Sequence, residues 1–313
     1  MSIEVKKMIT NKHKMKKSRE LLYVRQKGEK VVYGIAFTLL ALYAVCLLAP
    51  MLMIFFSSFK DSLVYNEELF AGEIYKLPEI FYFSNYVTAF SLMKVPLGLR
   101  EVGLLEMVFH TFWTATIPSF LVCFAQASVG YVCARYKSVF TRIMESICLI
   151  VLVIPIYGST GMFMKLIQWL GLYDNWFLVI ATAFQGFGMS LFILKGFFQG
   201  VSWEYAEAVF LDGGGHFTVF FKVMLPQAIP VLIVFFLNNF LAQYSDYMTK
   251  LLYMPSYVTI AVGLYYESML LPRMGETPIY FAALFLSCIP IMLIYIFFSK
   301  RMMTSMNIGG LKG

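Results

Sequence analysis

VVYGIAFTLLALYAVCLLAPMLMIFF, from Val31 to Phe56, carries no charged side chain. Apolar residues fill consecutive positions, so the alternation of a half-buried strand or of a transmembrane β-barrel is absent. A hydrocarbon core about 30 Å thick takes roughly 20 helical residues to cross. A lone span must also satisfy its backbone hydrogen bonds internally, which makes it a helix. Five further apolar blocks follow: Val108 to Cys133, Ile143 to Met164, Phe177 to Phe198, Pro226 to Tyr247 and Ile279 to Phe298. The whole chain of 313 residues is 60% hydrophobic and 14% charged, outside the range of soluble domains. These observations predict an all-α polytopic membrane protein with six transmembrane helices. Pro155, followed by Tyr157, Gly158 and Gly161, predicts a kink in the third span.

Charge sets the expected orientation. The first thirty residues hold ten Lys or Arg, among them Lys6, Lys7, Lys12, Arg19, Arg25 and Lys30. Positive residues are retained on the cytoplasmic side, which places the N-terminus inside. With six spans, Arg135, Lys137 and Arg142 and the tail residues Lys300, Arg301 and Lys312 fall on the same side. The segment from Lys60 to Glu106 has four basic and seven acidic residues and falls outside. The expected division is a basic cytoplasmic segment 1–30, a first span 31–57, an extracytoplasmic loop 58–106, spans two to six within 107–299 and a cytoplasmic tail 300–313. The first apolar run exceeds a signal core of about 7 to 15 residues, so it is read as a retained span. The net charge of +7 then reflects topology and lipid headgroups rather than nucleic acid.

Chemistry-bearing patterns are few. Cys46, Cys123, Cys133, Cys148 and Cys288 lie in or beside spans with no CxxC pair, and His13, His110 and His216 have no second ligand at metal spacing. No phosphate-cradling P-loop and no Ser, His and Asp arrangement is present, so no catalytic residue and no cofactor is assigned to this chain. Gly196 and Gly200 form a GxxxG, read as close helix packing.

Polar residues gather instead between spans four and five, in a loop over 200–226. Ser202 is the expected N-cap and Glu204 lies in the first turn of a short helix. Tyr205, Ala208, Val209 and Leu211 give it an apolar side. Asp212 and Gly213 should end that helix. A second short helix, His216 to Met224, is expected to be closed by Leu225 and Pro226. Carboxylates at Glu204, Glu207 and Asp212 outnumber Lys222, which favours a protein partner over lipid headgroups.

The spacing resembles the EAA loop of ABC importer permeases. That pattern, roughly E-x-x-E-A-A-x-x-D-G-A followed by I-x-L-P, maps onto Glu204, Glu207, Ala208, Asp212, Gly213, Leu225 and Pro226. Val209 replaces the second Ala of the pattern, and Gly214 replaces the Ala after Gly213. Ser57, Ser58, Phe59 and Lys60, then Asn85 and Tyr86, and the closing Gly309 to Gly313 are similar to permeases of the maltose type, the carbohydrate branch of binding-protein-dependent transport. The resemblance implies a subunit of the bacterial cytoplasmic membrane that forms half of a translocation pore for a sugar or oligosaccharide. It further implies a second permease subunit, two cytoplasmic ATPase subunits that bind ATP and Mg, and an extracytoplasmic solute-binding protein. The loop 200–226 would dock into the ATPase and carry its ATP-driven motion to the spans. Two alternatives stand beside this reading: a permease for peptides or amino acids, and an unrelated membrane sensor or enzyme.

Polar groups inside spans are the candidates for the substrate path. Asn239, Gln243 and Asp246 fall at i, i+4 and i+7 on one helix face, with Tyr244 beside them. Gln185 in span four and Tyr157 at the expected kink are further candidates. Each is equally readable as an interhelical hydrogen bond.

Overall fold

The computed structural model describes residues 27–154, 159–183 and 188–306. The chain divides at Ser57 and Ser58 into two compact units. The first contains one long helix, α1 (Lys27–Ser57), whose sequence from Val31 onward is long and apolar enough to cross a membrane.

The second unit begins with a folded layer that apolar patterning did not resolve. Helix α2 (Ser62–Ala71) is capped by Asp61, whose side chain accepts from the Leu63 N–H, and α3 (Ser84–Leu92) follows. Next comes an antiparallel hairpin of β1 (Lys94–Leu97) and β2 (Arg100–Gly103), in the register Val95↔Val102. Val95 and Val102 face inward and are buried, while Lys94, Pro96 and Glu101 face out, the period-two pattern of a half-buried strand. The expected all-α description therefore needs this one correction. Ten residues are too short a stretch for the alternation to stand out from neighbouring apolar sequence.

Helix α4 (Leu104–Arg135) is the second span and the centre of the unit. It packs on α8 (Met189–Gly200), on α11 (Leu225–Ser245) and on α13 (Ile260–Leu270). Gly130 allows a close approach to α8, since a β-carbon there would lie 3.3 Å from Leu194 Cβ and from the Lys195 backbone nitrogen. The glycines of the GxxxG pair do not serve this purpose within the chain, because Gly196 and Gly200 have open space where a β-carbon would stand.

Spans three and four depart from the single helices expected. The third is represented by α5 (Val139–Val153) and α6 (Ser159–Trp169), the fourth by α7 (Leu178–Thr182) and α8, each pair separated by residues outside those described. Among the described residues, four helical stretches are long and apolar enough to cross a membrane: Val31–Ser57, Leu104–Arg135, His216–Ser245 and Thr277–Phe298. The end of α5 has a local cause. Ile154 precedes a proline, which disfavours helical dihedrals, and it is extended at φ −82° and ψ 111°. The expected kink at Pro155 itself lies outside the described residues.

After α11 come α12 (Tyr247–Tyr253), α13 and the last span α14 (Thr277–Met306). Connections expected on one side of the membrane bond to each other. Ser62 Oγ donates to Glu276 Oε2 at 2.6 Å, Asn66 Nδ2 to the Gly275 carbonyl at 2.9 Å, and Ser256 Oγ to Asp174 Oδ2 at 2.6 Å. At the opposite end Lys195 pairs with Glu145 at 2.7 Å. The motif residues 58–60 and 85–86 are also brought together: Asn85 Nδ2 donates to the carbonyls of Ser58 and Lys60, and the Tyr86 hydroxyl bonds Ser58 Oγ at 2.8 Å.

Candidate partner-docking loop and polar helix face

Helix α9 (Glu204–Leu211) begins after Ser202, whose hydroxyl accepts the Glu204 N–H at 3.3 Å. The buried side of α9 is Ala206 with half-buried Val209 and Phe210, packed into a cluster with Tyr131, Leu194, Phe198, Val219 and Met224. Tyr205, Ala208 and Leu211, expected on that apolar side, point the other way, and Leu211 is 89% exposed. The helix is too short for period counting to decide which apolar residues face inward. Glu204, Glu207 and Asp212 are exposed as well, so one outward face combines three carboxylates with Tyr205, Ala208 and Leu211.

The bend after α9 follows from its glycines. The Gly214 N–H bonds the Val209 carbonyl at 2.8 Å and the Gly213 N–H bonds the Phe210 carbonyl at 3.0 Å. This paired closure is a Schellman motif, which needs a left-handed residue just past the helix. Gly213 supplies it at φ +79°. Gly214 is required for space instead: a β-carbon there would lie 2.5 Å from Val209 Cγ1 and 3.0 Å from the Val209 carbonyl oxygen.

The second limb is not a separate helix. Helix α10 (His216–Val219) runs through a π-helical turn, Phe220–Met224, into α11 without a break. Leu225 and Pro226 thus begin span five rather than closing a short helix. Proline has no N–H to give, so the continuous helix passes Pro226 with one backbone bond fewer. The π turn, in which the Leu225 N–H reaches the Phe220 carbonyl, stands immediately before it.

The polar face of α11 is engaged in internal bonds. Asn239 Nδ2 donates to the Phe235 carbonyl one turn back, Gln243 Oε1 accepts from Lys250 Nζ at 3.2 Å, and Asp246 Oδ1 caps α12 through the Thr249 N–H. Tyr244 is buried and its hydroxyl donates to the Ser287 carbonyl of α14 at 2.6 Å. Gln185 and Tyr157 lie outside the described residues. Two ionisable groups in the connection between spans five and six are buried. Lys250 is 3% exposed, and burial lowers its pKa while Asp246 raises it. Glu267 is 4% exposed with Oε2 lacking a partner among the described residues, and burial raises its pKa. Among the described residues no group of three or more His, Cys, Asp or Glu gathers as a metal site.

Residues that sequence reasoning did not single out hold the loop from beneath. Trp203 and Phe210 pack there with tilted rings, and Arg135, read only as a topology signal, reaches Val201. No periodicity flags such contacts.

Several apolar helices joined at two ends by hydrogen-bonded connections, with a bent loop presenting carboxylates, are the architecture of a multi-pass membrane protein. The chain belongs to the family described as binding-protein-dependent transport system inner membrane component, which matches residues 126–304, and is a permease subunit of an ABC transporter. Over 188 residues it is 32% identical to the maltodextrin transport system permease protein of Bacillus subtilis (strain 168), covering 59% of this chain and 67% of that one. It is 24% identical over 289 residues to the diacetylchitobiose uptake system permease protein of Streptomyces coelicolor, covering 88% of each. Among solved structures, it shares its fold with a chain of a bacterial ABC transporter involved in the import of the acidic polysaccharide alginate. The TM-score is 0.71 at 18% identity, with 88% of this chain and 98% of that one covered.

Proposed function

We propose that this permease subunit carries a carbohydrate, a sugar or oligosaccharide, into a bacterial cell as one half of a six-span-per-subunit pore. The relatives named for maltodextrin and diacetylchitobiose transport support the substrate class. The basic segments 1–30 and 300–313 lie in the cytoplasm, and the layer from 58 to 106 faces the solute-binding protein outside. Loop 200–226 docks on a cytoplasmic ATPase that binds ATP and Mg. The observation that carries this reading is the outward face of α9, where Glu204, Glu207 and Asp212 surround exposed Ala208 and Leu211. Such a face offers an apolar contact ringed by charge, the composition of a docking site.

A second permease subunit completes the pore, and two ATPase subunits bind the pair. Asn239 and Gln243 on α11 and Asp246 just past its end, with Tyr244 holding that helix to α14, flank the substrate path, joined by Gln185 and Tyr157 from the neighbouring spans. Neutral polyols are recognised through hydrogen bonds, and the amides of Asn239 and Gln243 supply both donors and acceptors.

The test is purification of the complex in detergent, wild type against Glu207→Arg, with ATP hydrolysis and uptake of labelled maltodextrins measured after reconstitution. Recovery of an ATPase with wild type and its loss from the variant is the expected result. A wild-type chain that purifies alone overturns the docking reading. Competition of uptake by peptides but not by sugars overturns the substrate class.

A further inference from the structure

Under α9 a set of contacts closes into a circuit. Arg135 ends α4, and its guanidinium donates to the Val201 carbonyl while its central carbon lies 5.2 Å from the centroid of the Trp203 ring. Trp203 lies 6.2 Å from Phe210, and Phe210 lies 5.1 Å from His216. His216 Nδ1 is hydrogen-bonded to the Tyr136 hydroxyl at 2.7 Å, with the two rings 5.6 Å apart. Tyr136 is the residue after Arg135. The path therefore leaves the end of α4, crosses the first limb of the loop through Trp203 and Phe210, crosses the second through His216, and returns to its starting helix.

Covalently, the loop is joined only to α8 and α11. This circuit gives it a third attachment, to α4. The bonds are of kinds that resist separation: a charge-assisted hydrogen bond, a cation over an indole face, and three ring contacts in edge or tilted geometry. Arg135 also has its Nε buried without a partner among the described residues. A guanidinium held this way is costly to place, and its favourable partners are the loop's own carbonyl and ring.

We infer that Arg135 and Tyr136 are positioning residues that lock the end of α4 to both limbs of the loop, so that a displacement of α9 by the ATPase moves span two together with spans four and five. The inference rests on the docking role proposed above. Without the circuit, motion of α9 would reach α4 through apolar packing alone, directly around Tyr131 and indirectly by way of α8 and α11.

The test uses the whole purified complex and follows amide hydrogen exchange at residues 128–136 and 204–212, without nucleotide and with ATP and vanadate. In wild type both segments should respond to nucleotide. In Arg135→Met and Trp203→Leu the ATPase should remain bound and α9 should still respond, while the response at 128–136 falls about tenfold, the worth of one charge-assisted bond. Arg135→Lys, which keeps a donor for the Val201 carbonyl, and Trp203→Phe, which keeps a ring, should each retain part of the response. An unchanged response at 128–136 in the variants overturns the inference. So does loss of assembly in both Arg135→Met and Trp203→Leu, since the circuit would then serve folding and not transmission. If wild type binds no ATPase, it is the docking proposal that fails.

Discussion

Val209 Cγ1 occupies the place where a β-carbon on residue 214 would stand, 2.5 Å away. In the EAA pattern that this loop resembles, both positions are Ala. The two departures from the pattern are thus one exchange: methyls gained at Val209 are matched by a methyl given up at Gly214. Gly214→Ala alone should overpack the bend and cost about 1–3 kcal/mol. Val209→Ala should be milder, and the double variant should recover most of what Gly214→Ala loses. Thermal unfolding of the four proteins, read as a double-mutant cycle, checks the coupling. Additive effects of the two substitutions would overturn it.

Charge reversal on the outward face of α9 is expected to separate stability from function. Glu207 and Asp212 are exposed and make no ion pair among the described residues. Glu207→Lys should change the unfolding free energy by less than about 0.5 kcal/mol. ATPase binding should weaken at least about tenfold. Salt should weaken wild-type binding in parallel, because exposed charges are screened.

Asp174 joins two connections on one side of the bundle. It accepts from both the N–H and the hydroxyl of Ser256, and its own N–H reaches the Tyr253 carbonyl. Asp174→Ala removes the two bonds to its carboxylate and should cost about 2–4 kcal/mol. Faster exchange of the amides at 253–257 than at 95–102 would locate the loss.

Glu267 gives a pH signature. Its folded pKa is raised above the unfolded value of 4.5 by burial, so between the two the native chain holds the extra proton. Its contribution is fully present below pH 4.5 and is lost as pH rises through the folded value. Glu267→Gln should therefore be more stable than wild type at neutral pH, with the gap closing as pH falls towards 4.5. Melting temperatures across that range test it, and a constant gap would contradict it. Lys250 behaves in the opposite sense on the alkaline side: its pKa is depressed below 10.5, so the cost of burying it is relieved as pH rises towards that value. Lys250→Met should remove that rise.

Legibility in the sequence followed length. The runs that became α1, α4, α11 and α14 are apolar over twenty or more positions, and nothing local overrides them. Span three is interrupted at Ile154, which the following proline holds extended, a one-residue effect inside an otherwise continuous apolar block; in span four the piece α8 begins anew after an extended Gly188. The hairpin at 94–103 and helix α13 are short and buried on one side by tertiary packing, and their patterns merge with their neighbours. In the loop, Asp212 and Gly213 were readable as a stop because the αL requirement is written in residue type. The inward face of α9 was not, because eight residues with apolar side chains on every side do not declare which face meets the bundle. The polar stripe Asn239, Gln243 and Asp246 was visible, but its partners Phe235, Lys250 and Thr249 became apparent only in three dimensions.

The π turn at Phe220–Met224 carries one residue more than an α-helical turn would. Each residue of an α-helix corresponds to about 100° of rotation. The wide turn absorbs the extra one, so the angle at which the bent loop meets span five stays near that of an unbroken helix. Most substitutions in the turn leave that angle alone. Deleting a single residue, such as Lys222, would let ordinary i to i+4 bonding resume and leave that angle nearly unchanged, whereas a deletion in a regular α-helical turn, which has no surplus residue, would rotate the carboxylate face of α9 by more than a quarter of a circle. Insertions and deletions in the regular helix beyond this turn, more than changes of side chain, are the lesions to which the docking geometry is most exposed.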